Sequence, residues 1–174
     1  MPLVGTSTKA RILERRTIFS TCRTYRYVLW RELDTDKPGY ALFIGLNPST
    51  ADEVADDPTI RRCKSFAQRW GYGAVCVANL FAYRATRPTE LKAAPAPVGR
   101  ANDRWLVRLA AEATVVVAAW GVHGSFVGRD QEVIALLGDR LSCLALTKAG
   151  HPRHPLYLER TAAPKVWVPQ TQSA

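Results

Sequence analysis

The chain has 174 residues, 47% of them hydrophobic, which suffices for one domain with its own core and is short for two. Its 24 Lys+Arg against 15 Asp+Glu leave a formal charge of +9, a field that attracts polyanions, nucleic acid foremost. No apolar run approaches the roughly 20 residues of a membrane span, and the Met-Pro-Leu-Val start carries no basic-then-apolar signal. A soluble cytoplasmic monomer is therefore expected. Cys22, Cys63, Cys76 and Cys143 are scattered and form no CxxC pair, so no metal site or disulfide framework is expected. They read as small buried hydrophobes.

Residues 1–24 carry Lys9, Arg11, Arg15 and Arg16 and read as a basic arm or short helix before a single core spanning 25–168. Tyr25–Leu33 alternates apolar with charged residues, which predicts a half-exposed strand. After a turn at Asp34–Gly39, the continuous apolar run Tyr40–Leu46 predicts a buried central strand. Asp57 at an N-cap, Pro58 at the first helical position and Gly71 at the end bound a helix. Its apolar stripe is Ile60, Cys63, Phe66, Ala67 and Trp70. Ala74–Leu80 predicts a second buried strand, and the proline-rich stretch 81–98 reads mostly as loop. Gly99–Ala113 and Asp130–Leu137 predict helices, Thr114–Trp120 and Ser142–Thr147 strands, and Lys165–Val168 a short fifth strand. Buried strands alternating with helices predict an α/β fold, a three-layer αβα sandwich around a mainly parallel sheet of four to five strands.

In such sheets, chemistry collects in the loops leaving the carboxyl ends of the strands. The first, Gly45-Leu46-Asn47-Pro48-Ser49-Thr50, has neither a Gly-rich phosphate fingerprint nor a P-loop Lys, so it does not predict a triphosphate site. Pro48 pushes Asn47 toward an extended conformation, aiming its amide outward to hold a water or a polar ligand edge. A plain Asx-type turn fits the same residues. Asn79 ends an apolar strand, where its amide either reads the edge of a nucleobase or bonds a neighbouring loop. The loop from Ala149 to Leu158 holds His151 and His154, two stiffening prolines, and an apolar Leu156-Tyr157 pair. A histidine there can stabilise negative charge on a leaving group, and a leucine can act as a wedge between bases. No GxSxG elbow is present, and two histidines alone make no metal site.

The order of these loops resembles the uracil-DNA glycosylase superfamily. Its members carry G-x-[DN]-P after one strand, Asn ending the next, then Trp-Gly, then a His-Pro loop. Here these are Gly45-Leu46-Asn47-Pro48, Val77-Ala78-Asn79, Trp120-Gly121, and Gly150–Leu158. The whole chain also looks like an uncharacterised bacterial and phage family sharing N-P-S-T and H-P-L-Y motifs. The resemblance implies that Asn47 holds the attacking water and Asn79 pairs with an extruded base. His151 or His154 faces the base oxygen, Leu156 fills the gap left by the base, and Phe43 or Phe81 stacks on it. DNA contacts are expected from Ser49, Thr50, Arg84, Arg153, Leu156 and Tyr157. Three departures stand out. Asn47 cannot take a proton as Asp would, the His-Pro loop is one residue longer than usual, and the cysteines do not match the iron–sulfur branch, so no cofactor is expected. The expected activity is that of a DNA glycosylase. The alternatives are a nucleic-acid or nucleotide-binding module without hydrolysis and an enzyme of free modified nucleosides or nucleotides.

Overall fold

The computed structural model describes residues 16–170. Lys9, Arg11 and Arg15 of the expected basic arm lie outside the described residues. The strands are β1 (Ile18–Phe19), β2 (Arg26–Glu32), β3 (Tyr40–Gly45), β4 (Ala74–Asn79), β5 (Val115–Ala118), β6 (Leu141–Cys143) and β7 (Lys165–Val166). The helices are α1 (Pro58–Arg69), α2 (Pro88–Ala93), α3 (Asn102–Glu112) and α4 (Arg129–Leu137), with 3-10 turns at Val122–Gly128 and Pro155–Tyr157. The fold is α/β.

All the strands join one mixed sheet of order β1-β2-β4-β3-β5-β6-β7. β4, β3, β5 and β6 run parallel, as the buried apolar runs predict. The edge pairs β1–β2, β2–β4 and β6–β7 are antiparallel, which corrects the expected sheet of four to five mainly parallel strands. The turn between β2 and β3 is too short for a crossover, so β2 must run opposite to β3. β1 and β7 hold only two residues each and leave no periodicity to read.

β3 is buried on both sides because each face of the sheet carries helices. On one face α1 packs Ile60, Cys63, Phe66 and Ala67 against Phe43, Val75 and Val77. On the other, Leu106 and Leu109 of α3 and Val133 and Leu137 of α4 cover Leu42, Ile44, Cys76 and Val116. α1 starts where the sequence predicts. Asp57 Oδ1 accepts from Ile60 N at 2.9 Å, Pro58 opens the first turn, and Gly71 leaves the helix at φ +84.

Two readings need correction and a third, of the mostly loop stretch 81–98, is refined. β2 is not half-exposed: Arg26 through Trp30 are all buried, Arg26 included. Charge alternation misleads here because Arg31 turns to Asp56 at 2.7 Å and Arg26 tucks beneath the Asn47–Asp57 loop, its Nη1 donating to Ala51 O at 3.1 Å. The stretch 81–98 contains α2, opened by Pro88 and held by Glu90, whose Oε2 accepts from Thr86 N and Arg87 N at 3.1 and 3.3 Å. Cys63, Cys76 and Cys143 are buried, but Cys22 is exposed. Hydrogen bonds from Ser20 and Thr24 lower its thiol to about 7. Among the described residues, no helix is long and apolar enough to cross a membrane.

Candidate active site

The loops leaving β3 and β4 continue the ladder of their strands. Leu80 N donates to Gly45 O at 2.9 Å, Phe81 N to Leu46 O at 3.0 Å and Ala85 N to Pro48 O at 3.0 Å. Asn47 closes this seam from the other side, its Nδ2 donating to Ala85 O at 2.8 Å and Pro48 O at 3.1 Å. The loop after β5 is joined to the His-Pro loop through Gly121 N and Pro152 O at 2.8 Å. Between these loops and the first turns of α1 lies a cleft of about 580 Å³, within the usual range of ligand sites. It opens at the carboxyl ends of the parallel strands, where such folds place their chemistry.

The floor of the cleft is apolar and backed by stacked rings. Phe43 is stacked on Trp70 at 5.7 Å and 16°, and Trp70 on Phe66 at 5.4 Å and 22°. Into this floor project polar groups that are not satisfied. Asn79 is 3% exposed and its Nδ2 has no partner among the described residues. Gly45 makes room for this side chain: a Cβ there would stand 2.9 Å from Asn79 Oδ1. Register explains the pairing, since Gly45 and Asn79 are direct neighbours on adjacent parallel strands. Arg26, 2% exposed, also lines the cleft with its Nε unpartnered. Burial holds its guanidinium down to about 10, opposed by the nearby Asp57 carboxylate. An unmade hydrogen bond at a buried donor costs about 1–3 kcal/mol, more for a charged group, and these two donors, with the likewise unpartnered Nε1 of Trp120, belong to residues that line one cleft.

The two histidines of the His-Pro loop go to different places. Thr147 N donates to His151 O at 2.8 Å and His151 N to Thr147 Oγ1 at 3.1 Å, a tight turn that Gly150 permits at φ +84. That turn carries His151 away from the cleft, to a separate depression beside α4. His154 lines the cleft, half-buried, at the start of the 155–157 turn. Its Nδ1 accepts from Leu156 N at 3.3 Å, so in the neutral ring the proton sits on Nε2. Burial pushes its titration below the ordinary 6.5, and Asp57 partly opposes this. His154 is thus a neutral N–H donor at physiological pH. Arg62 of α1 pins the turn that follows, donating to Pro155 O at 3.3 Å and to Leu158 O, with its guanidinium 4.9 Å over the Phe66 ring.

Of the remaining predicted residues, Phe43, Ser49, Leu156 and Tyr157 line the cleft. Leu156 and Tyr157 stand 42% and 73% exposed at its mouth. Phe81 does not: it is fully buried on the opposite face of the sheet, 5.7 Å from Phe126. Thr50 and Arg153 are exposed outside the cleft, Arg153 donating to Tyr157 O at 3.2 Å. Arg84 lies over Phe19 at 4.9 Å and donates to Arg23 O at 3.2 Å, also outside it. Sequence reasoning missed Arg26, Asp57 and His123, all of which line the cleft. Asp57 was legible only as a helix cap, and Arg26 only as an exposed charge. Among the described residues, no three His, Cys, Asp or Glu side chains converge as a metal-holding group.

Fold and cleft together define an α/β protein with its candidate site at the carboxyl ends of β3, β4 and β5. The chain belongs to the family described as Protein of unknown function (DUF1643), which matches residues 26–156. No curated protein and no solved structure matches it.

Proposed function

We propose that this protein is a DNA glycosylase, on an αβα sandwich of the uracil-DNA glycosylase type, that accepts an extruded base and hydrolyses its N-glycosidic bond. The observation that carries this reading is Asn79, a buried amide with an unpartnered Nδ2 beside the aromatic floor at Phe43. A nucleobase offers what that site lacks: an acceptor in line with a donor on its edge, and a flat face to lie on an aromatic ring. N-glycosidic cleavage leaves negative charge on the base, and the Nε2–H of a neutral His154 is a donor suited to receive it. Such preorganised donors each contribute a few kcal/mol to the barrier. Leu156 and Tyr157 at the mouth suit the space a flipped base vacates, and the positive net charge suits the phosphates. Flipping costs a few kcal/mol and least for a weakly paired base, which favours mismatches or lesions as substrates.

The test is a strand-break assay on single- and double-stranded oligonucleotides carrying uracil, hypoxanthine, G·T and G·U mismatches or modified cytosines. An alkali-labile break at one base, lost in Asn79→Leu, supports the reading. Salt-sensitive DNA binding without a break at any base supports a second reading, a base-binding module without hydrolysis. One observation favours that second reading: Asn47 has its Nδ2 tied to Ala85 O and Pro48 O, and its remaining oxygen cannot take a proton.

A further inference from the structure

Hydrolysis needs a group that accepts the proton of the attacking water, and the Gly45-Leu46-Asn47-Pro48 loop offers none. The loop that follows carries four carboxylates, and three are committed elsewhere. Asp52 Oδ1 accepts from Val54 N and Ala55 N at 2.9 and 2.8 Å. Glu53 is gripped by both terminal nitrogens of Arg23 at 2.6 and 2.9 Å. Asp56 binds Arg31 at 2.7 Å and Lys64 at 2.8 Å. Asp57 is the one that reaches the cleft, and among the described residues no other acid lines it. Its Oδ1 is fixed by Ile60 N at 2.9 Å, and it makes no ion pair among the described residues, leaving Oδ2 for chemistry. Independently of this cap, the unpartnered buried donors of Arg26 and Asn79 point to a ligand in the same cleft.

We propose that Asp57 is the proton acceptor of this site, doing from the start of α1 what Asn47 cannot do from the β3 loop. The assignment rests on the glycosidic-hydrolysis reading. A water held by Asn47 Oδ1 attacks the sugar carbon C1′ and gives its proton to Asp57. The C1′–N bond breaks with its electron pair going to the base, whose oxygen receives the hydrogen bond of His154 Nε2–H. The sugar keeps the hydroxyl, and the base leaves with a proton that Asp57 returns through solvent. The charge of Asp57 is felt at both walls, since it raises the titration of Arg26 and His154 against the effect of burial.

Asp57→Asn separates the two roles, because Asn caps a helix about as well as Asp but its amide cannot accept a proton at neutral pH. Single-turnover cleavage of whichever oligonucleotide the wild-type protein processes would be measured beside binding of that oligonucleotide by fluorescence anisotropy. The expected result is a rate at least about 100-fold lower with Kd within about twofold, and the same from Asp57→Ser, a second good cap. A variant that keeps a third or more of the rate overturns the role of Asp57 and leaves the glycosylase reading standing. Equal losses of rate and affinity also overturn it, since they describe a residue that only shapes the cleft. Wild-type protein that releases no base from any oligonucleotide removes the glycosylase reading, and the role of Asp57 with it, before any variant is compared.

Discussion

The protein buries two Arg–Asn pairs, one on each side of β4, and treats them differently. On the α3–α4 face, Arg129 donates Nε to Leu80 O at 2.9 Å, Nη1 to Glu132 at 3.0 Å and Nη2 to Asp103. Beside it, Asn102 donates to Asn79 O and Leu80 O at 2.9 and 3.0 Å, leaving only its own carbonyl oxygen over. On the α1 face, Arg26 and Asn79 are as deeply buried, yet Nε of the one and Nδ2 of the other find no partner. Burial alone therefore does not separate structural from functional polar groups. The state of their donors differs: the donors of the first pair staple the β4 loop to two helices, and the second pair leaves Arg26 Nε and Asn79 Nδ2 unpartnered beside a cleft, which the proposed function uses.

That contrast can be broken at Asn79 first. Asn79→Leu removes an amide whose Nδ2 has no partner among the described residues, so the unfolding free energy from urea titration should stay within about 1 kcal/mol of wild type. Under the proposed reading, base-specific binding or cleavage should nevertheless fall about 100-fold, as expected when one preorganised donor is lost. Gly45→Ala should act in the same direction, because its methyl group displaces the Asn79 side chain. A comparable loss of stability in Asn79→Leu would put this residue with the structural pair.

Next comes Arg129→Met, which should do the reverse: about 1–3 kcal/mol less stable by urea unfolding and, under the proposed reading, with DNA affinity unchanged. A smaller effect is expected from His154. Its folded titration lies below the ordinary 6.5, so its contribution to stability is complete above that value and is lost as the pH falls through the folded value. Thermal melts from pH 7.5 downward should therefore decline more in wild type than in His154→Asn, which keeps an acceptor for Leu156 N and does not titrate. Parallel curves would show that His154 is not held neutral by the fold. His151→Ala should change rate and affinity less than twofold, roughly the scale of surface substitutions; a loss matching that of His154→Asn would mean the two histidines share one site.

Much of the frame behind this contrast is legible in the residues. The apolar run at Tyr40–Leu46, the Asp57-Pro58 start and Gly71 stop of α1, and the position of Asn79 at a strand end all follow from local chemistry. What is not legible depends on neighbours far away in the chain. Arg26 reads as exposed because alternation cannot know that a loop folds over it. His151 and His154 are equivalent in sequence, and the Thr147–His151 turn alone tells them apart. Phe81 follows Asn79 by two residues but ends on the far face, since the chain has by then left the regular alternation of β4. The edge strands β1 and β7 are set by pairing, with too few residues to carry a pattern.

The bonds of Arg62 to Pro155 O and Leu158 O tie the turn that follows His154 to α1, the helix that Asp57 caps. A mouth braced this way resists gaping. Under the proposed reading, the work of deformation falls on the nucleic acid, and the local stiffness of a duplex becomes a property by which its sites are sorted before any base is touched.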